Sequence, residues 1–151
     1  MTKVVKTKDS SVPAHLILAR KAFFSSGVRY ARSEWSEAKN LQVFGPHFSP
    51  HGHGYNYVLE VRVEGSRDPV TGLVVNLTDV EKDLQQVVGQ LDHRHLAFDV
   101  PAFADKVPTL ENLGQFCFQQ LSQRLGKLLA GIRLKQGEDD WVDVWREAER
   151  P

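Results

Sequence analysis

One cysteine and one methionine stand in 151 residues. With a single thiol, Cys117, no internal disulfide can form and no cysteine-based zinc site fits within one chain. Cys117 lies between two phenylalanines on a helical pattern and reads as a small buried hydrophobe. Neither sign of charge is in excess: 19 Lys and Arg face 19 Asp and Glu, for a formal net charge of zero. Nucleic-acid binders carry a basic excess or a basic stripe, so no nucleic-acid partner is expected. No apolar run approaches the ~20 residues that span a bilayer. The opening stretch MTKVVKTKDSSVPAH lacks the apolar centre of a secretory signal. No membrane contact is expected, and a cytoplasmic location is. Charged residues make up 25% and hydrophobic residues 41%, ordinary globular values that exclude general disorder. The length suits one domain: residues 1–12 read as a polar tail and residues 13–151 as a single folded unit.

Periodicity supplies the elements. His15 to Val28 is an apolar stretch read as a strand. Residues 29–50 are rich in polar and turn residues and read as a long connection, and a long loop in a compact domain is often functional. Tyr55, Tyr57, Leu59, Val61 and Val63 then alternate with more polar neighbours, the period of a half-buried strand. After the turn GSRDPVTG, the run LVVNL reads as extended. Leu77, Val80, Leu84, Val87, Val88 and Leu91 mark a helical face, opened by a capping box at Thr78 and Glu81. A second helix opens at Thr109, with a stripe from Leu110 to Leu128 and a stop at Gly131. Two short strands around QGEDD finish the chain. Strand, strand, helix, helix, strand, strand describes one α+β domain.

Three of the six histidines fall within seven residues: His47, His51 and His53. Positions two apart on an extended chain point the same way, so His51 and His53 offer two imidazoles to one metal ion, with His47 as a third. A solvated loop without a common partner is the competing reading. Asp92 directly precedes His93, a pairing suited to proton transfer when the carboxylate orients the ring. A polar helix end explains the same dipeptide.

The motifs NLQVFG, PHGHGYNYVLEVRVEG, DPVTGLVVNLTDVEKDL, LDHRHL, DVPAFADKVPTLEN and IRL…WVDV occur in one order over residues 23–145. In this the chain resembles the 6-pyruvoyl-tetrahydropterin synthase family, including its 6-carboxy-tetrahydropterin synthases. The resemblance implies a T-fold: a four-stranded antiparallel sheet with two helices on one face, its sheets assembling into a barrel. It also implies a homohexamer built as a dimer of trimers, with sites at subunit seams. In the family, three histidines hold a zinc ion that polarises the substrate side chain. A cysteine and an Asp-His pair move protons while triphosphate is eliminated, and a carboxylate grips the edge of the pterin.

Carried over, the match is uneven. Asp92, His93, Thr109, Glu111 and Asn112 are retained. The cysteine position is His47, and the pterin-gripping carboxylate is Gln136. The zinc positions are Val28, His53 and Tyr55, so only His53 keeps an imidazole. A rival register places His51 and His53 on the paired zinc positions but requires an indel. The expected catalytic set is therefore His47, Asp92 and His93. The expected ring-binding set is Thr109, Glu111 and Gln136. A metal would rest on His53 with His51 and His47. Zinc is implied by the resemblance and opposed by the replacements; no nucleotide cofactor is expected. The expected activity is that of a divergent lyase on a dihydropterin such as dihydroneopterin triphosphate. The alternative is a non-catalytic member that binds a pterin or a purine-like ring or serves as an assembly partner, without the zinc-dependent reaction.

Overall fold

A computed structural model describes residues 14–147. The polar tail expected over residues 1–12 lies outside the described residues. Strand β1 (Ile17–Val28) pairs antiparallel with β2 (His53–Glu64), from Ile17 opposite Glu64 to Val28 opposite His53. The ladder continues antiparallel from β2 to β4 (Leu129–Gln136) and from β4 to β5 (Asp140–Trp145). A two-residue strand, β3 (Arg94–His95), runs parallel to β1 along its other edge.

The sheet order is β3-β1-β2-β4-β5. This corrects the expected fold in two respects. Among the described residues the sheet has five strands and one parallel pair, where four antiparallel strands were expected. It is also open and not closed into a barrel, because its outermost strands, β3 and β5, do not pair with each other.

Side chains alternate across each strand, so one face of the sheet is apolar. Ala22 and Phe24 of β1, Leu59 and Val61 of β2, and Ile132 and Leu134 of β4 are buried there. They join one core with Val80, Leu84 and Val87 of α2 (Leu77–Val88) and Leu113, Cys117 and Leu121 of α4 (Leu110–Leu125). A fully buried side chain of this size contributes about 1.5–3 kcal/mol.

The helix ends follow the capping side chains. Thr109 Oγ accepts from the Asn112 N–H at 3.2 Å and opens α4 as expected. Helix α2 is capped one turn-start earlier than the capping-box reading: Asn76, not Thr78, is the N-cap, and its side-chain oxygen accepts from the Thr78 N–H at 3.0 Å. Asparagine is at least as good a cap as threonine. Helix α4 stops at Gly126, whose φ is +55°. Leu128 therefore lies beyond the helix and Gly131 within β4. There a Cβ would stand 2.5 Å from the Trp145 ring.

The connection 29–50 is more ordered than expected. It contains α1 (Glu37–Phe44), capped by Ser36, and a 3-10 turn over Gly45–His47. Buried Asn40 fixes it by accepting from the Arg32 N–H and donating to the carbonyls of Arg32, Trp35 and Ser36. The run LVVNL forms no strand; it leaves a turn in which Asp68 accepts from the Val70 and Thr71 N–H groups and enters α2. Between α2 and α4 lie β3 and a short helix α3 (Leu96–Asp99).

Candidate functional site

The helix-covered face of β1 and β2 ends in a row of rings. Val28 is fully buried opposite His53. The alternation that buries Leu59 also turns Tyr57, Tyr55 and His53 to this face, and neighbouring rings in the row are 5.2 and 6.0 Å apart. His47, delivered by the 3-10 turn, stacks on Tyr30 with centroids 4.9 Å apart and planes 14° apart. Its ring lies 5.5 Å from that of His53. The Tyr30 N–H donates to the His47 carbonyl at 3.0 Å, so the turn is tied to the end of β1.

The electrostatics favour neutral rings. Burial, followed by the nearby Tyr55 and Glu111, pushes the Tyr30 hydroxyl up to about 12. Burial and Asp140 also raise Tyr55. Burial is the first cause that lowers His53, and the neighbouring His47 and His95 add to it. His53 Nδ1 lies 3.0 Å from Ser49 Oγ, whereas its Nε2 is buried without a partner.

At the far end of the row, Gln136 is buried on β4 opposite Tyr57, and the Tyr57 hydroxyl donates to its Oε1 at 3.3 Å. Tyr57 is itself fixed by stacking on Phe24, with centroids 4.8 Å apart. Asp140 is the β5 partner of Gln136. Glu111 occupies the exposed first turn of α4, and its charge reaches Tyr30. Thr109 sits at the same helix start, its hydroxyl engaged as the cap.

Asp92 and His93 lie elsewhere. The Ser25 N–H donates to Asp92 Oδ1 at 2.9 Å, and the His93 N–H donates to the Ser25 carbonyl at 2.8 Å. Both bonds lie on the edge of β1 away from β2. The Ser25 bond is the first cause that holds the Asp92 carboxyl below its ordinary range. Its Oδ2 is 2.9 Å from His93 Nδ1. The His93 side chain is 86% exposed, and His93 is a non-glycine residue with a left-handed backbone, at φ +58°.

The structure therefore brings together His47, His53, Tyr55 and, further along, Gln136. It keeps Asp92 and His93 as a bonded pair but puts β1 between them and His53. His51 is exposed in the turn before β2. Among the described residues, no three His, Cys, Asp or Glu side chains are grouped to hold a metal ion. The donor chemistry agrees. Val28 has no ligating atom, and Tyr55 would have to ionise against the burial that raises it. Only His53 of the three zinc positions offers an imidazole, fewer than the three or four protein ligands that zinc sites use.

Sequence reasoning missed Tyr30, Tyr57 and His95. Tyr57 read as part of the apolar face of a strand, and Tyr30 fell in the long connection. His95 carried no pattern of its own, yet its ring stacks on Phe98 at 4.2 Å, with both nitrogens buried and unpaired. A cavity of about 400 Å³ opens between the segment after β1 and the one before α4. It is lined by Arg29, Arg32, Phe98, Phe103 and Lys106 among others.

Comparison with known proteins places these features. The family described as 6-pyruvoyl tetrahydropterin synthase matches residues 17–147. The 6-pyruvoyl tetrahydrobiopterin synthase of Poecilia reticulata is 42% identical over 109 residues, covering 72% of this chain and 74% of that one. The Homo sapiens protein of the same name is 40% identical over 109 residues, covering 72% and 75%. The solved 6-pyruvoyl tetrahydropterin synthase of Caenorhabditis elegans superposes with a TM-score of 0.84 at 28% identity, covering 89% of this chain and 97% of that one. A matching family profile over nearly all the described residues, with relatives at this identity and fold likeness, makes this chain a member of the 6-pyruvoyl tetrahydropterin synthase family.

Proposed function

We propose that the ring-lined site binds a pterin-class heterocycle and that the chain acts as a divergent carbon–oxygen lyase on a dihydropterin such as dihydroneopterin triphosphate. The retained Asp92–His93 pair carries this reading. Its carboxylate is held ionised by the Ser25 N–H and orients an imidazole that projects into solvent. Such a pair has the form of a positioned acid–base group. In the elimination, a base removes a proton from a side-chain carbon of the substrate. The C–O bond to triphosphate breaks, its electron pair leaves with the phosphate, and the resulting enol takes a proton back. In this reading His47 is the first base and His93 the second proton carrier.

Because β1 separates His93 from His53 within one chain, this reading requires a homo-oligomer, a hexamer in the family's manner. The His93 of one copy then serves the His47 site of another. Zinc is not assigned a step, since the residues at its positions do not fit it. The alternative of a non-catalytic pterin binder is favoured by one observation, the buried Val28 and neutral Tyr55 where ligands would stand.

Turnover of dihydroneopterin triphosphate, with and without added zinc, tests the reading. The expected result is triphosphate release that is lost in His47→Ala and in His93→Ala and partly restored when the two variants are mixed. Release unchanged by either substitution would overturn the catalytic assignment. Pterin binding without any turnover would establish the alternative.

A further inference from the structure

A glutamine at a ring-recognition position is ambiguous, because its amide turns over to present either a donor or an acceptor. Here a neighbour settles the ambiguity. Tyr57 is 1% exposed, and its hydroxyl has Gln136 Oε1 as acceptor. Were the amide reversed, its N–H would face the Tyr57 oxygen and the phenolic hydrogen would be left buried without an acceptor, an arrangement proteins avoid. Tyr57 cannot turn away, since its ring is stacked on Phe24 with planes 11° apart. It also stays a donor, because burial raises its hydroxyl far above the ordinary range.

The consequence falls on the other end of the amide. Gln136 Nε2 makes no hydrogen bond within the described residues, yet it is not among their sealed, unpaired polar atoms. It is a donor open to an incoming group. Across the β4–β5 ladder, Asp140 supplies an acceptor. Tyr57, Gln136 and Asp140 thus form one row over three adjacent strands, with a fixed order of donor and acceptor.

We propose that Tyr57 locks the Gln136 amide with its nitrogen towards the ligand, so that the site selects a heterocycle by a ring carbonyl beside a ring N–H. Such a lactam edge accepts from Gln136 Nε2 and donates to Asp140. An analogue with an amino group in place of that carbonyl puts a donor against a donor. Sites built around a buried polar group reject such mismatches strongly. The inference rests on the pterin reading above and names the edge of the ring that is read. Gln136 is the specificity-determining contact, and Tyr57 acts through it as a positioning residue.

Two probes that differ at this edge test it: pterin, which is 2-amino-4-oxopteridine, and 2,4-diaminopteridine. Their dissociation constants are measured by fluorescence titration against the full chain and its Tyr57→Phe and Gln136→Leu variants. The unsubstituted chain is expected to favour pterin at least tenfold. Tyr57→Phe frees the amide to turn over, so the preference should fall towards unity while the affinity for pterin changes less than threefold. Gln136→Leu removes the donor without supplying an acceptor and should bring the ratio towards unity, with pterin bound at least tenfold more weakly. A native ratio near unity, or a ratio unmoved by Tyr57→Phe in a variant with native circular dichroism, overturns the inference and leaves the pterin reading standing. Failure of the unsubstituted chain to bind either probe overturns both.

Discussion

Gly27 lies beside His95 across the short parallel pairing of β1 with β3, and the imidazole occupies the space a side chain at 27 would take. A Cβ there would come within 3.1 Å of the ring, and one on Gly52 within 3.2 Å of its Nε2. The other face of the ring is covered by Phe98, which is 75% exposed and has room to move.

Gly27→Ala is therefore expected to destabilise by about 1–2 kcal/mol, the lower part of the range for overpacked sites. Adding Phe98→Ala should return part of that loss by letting the ring slide outward. Urea unfolding of both variants measures it. An unchanged midpoint in Gly27→Ala would show that the ring does not hold this place.

Acid should weaken the fold before any carboxylate titrates. Burial lowers both His53 and His95 from the ordinary imidazole value of 6.5. The unfolded chain then binds more protons than the folded one just below that pH. Their contribution to stability is complete above pH 6.5 and is lost as the pH falls through the lowered values. Asp92, held below 3.8 chiefly by the Ser25 N–H, adds a further loss only in stronger acid. The melting temperature should decline below pH 6.5, and His53→Gln combined with His95→Gln should flatten that decline. Identical pH profiles would remove both imidazoles from the account.

Cys117 should be inert in the folded protein. It is fully buried in α4, and burial pushes its thiol up to about 12. Thiolate, the reactive form, is then scarce at neutral pH. An aromatic disulfide reagent should label it at the rate of global unfolding and not before. Rapid labelling under native conditions would contradict the packing of α4.

Asn40→Leu should loosen the segment before α1. The substitution leaves the Arg32 N–H without its acceptor, while the Arg32 carbonyl keeps the Trp35 N–H, at an expected cost of about 1–3 kcal/mol. Hydrogen exchange read at the Arg32 amide is the sensitive probe. Retained protection in the variant would show that the side chain is dispensable.

What could be read in advance divides along physical lines. The alternation from Tyr55 to Val63 and the stripe containing Leu113, Cys117 and Leu121 are long-period signals enforced by one core, and both elements formed, although the helix stops at Gly126 and not at the expected Gly131. The open five-stranded sheet was not legible, because β3 is only two residues long and its pairing with β1 depends on where α2 releases the chain. Helix α1 was hidden for a related reason. It has no apolar stripe, and its order comes from the bonds of Asn40 and Ser36. In the site, His47 and His53 stood out in the histidine cluster and Gln136 through the resemblance, and the structure adds the side chains that surround them. The stack of Tyr30 on His47 and the bond from Tyr57 to Gln136 join residues far apart in the chain, and no local pattern announces them. The reading of His47, His51 and His53 as one ligand group failed to anticipate that a turn leaves His51 in solvent.

The left-handed backbone of His93 separates durability from chemistry at one position. Holding a residue with a Cβ in that conformation costs about 1–2 kcal/mol, and glycine would adopt it freely. A His93→Gly protein should thus gain in thermal endurance while it loses the imidazole.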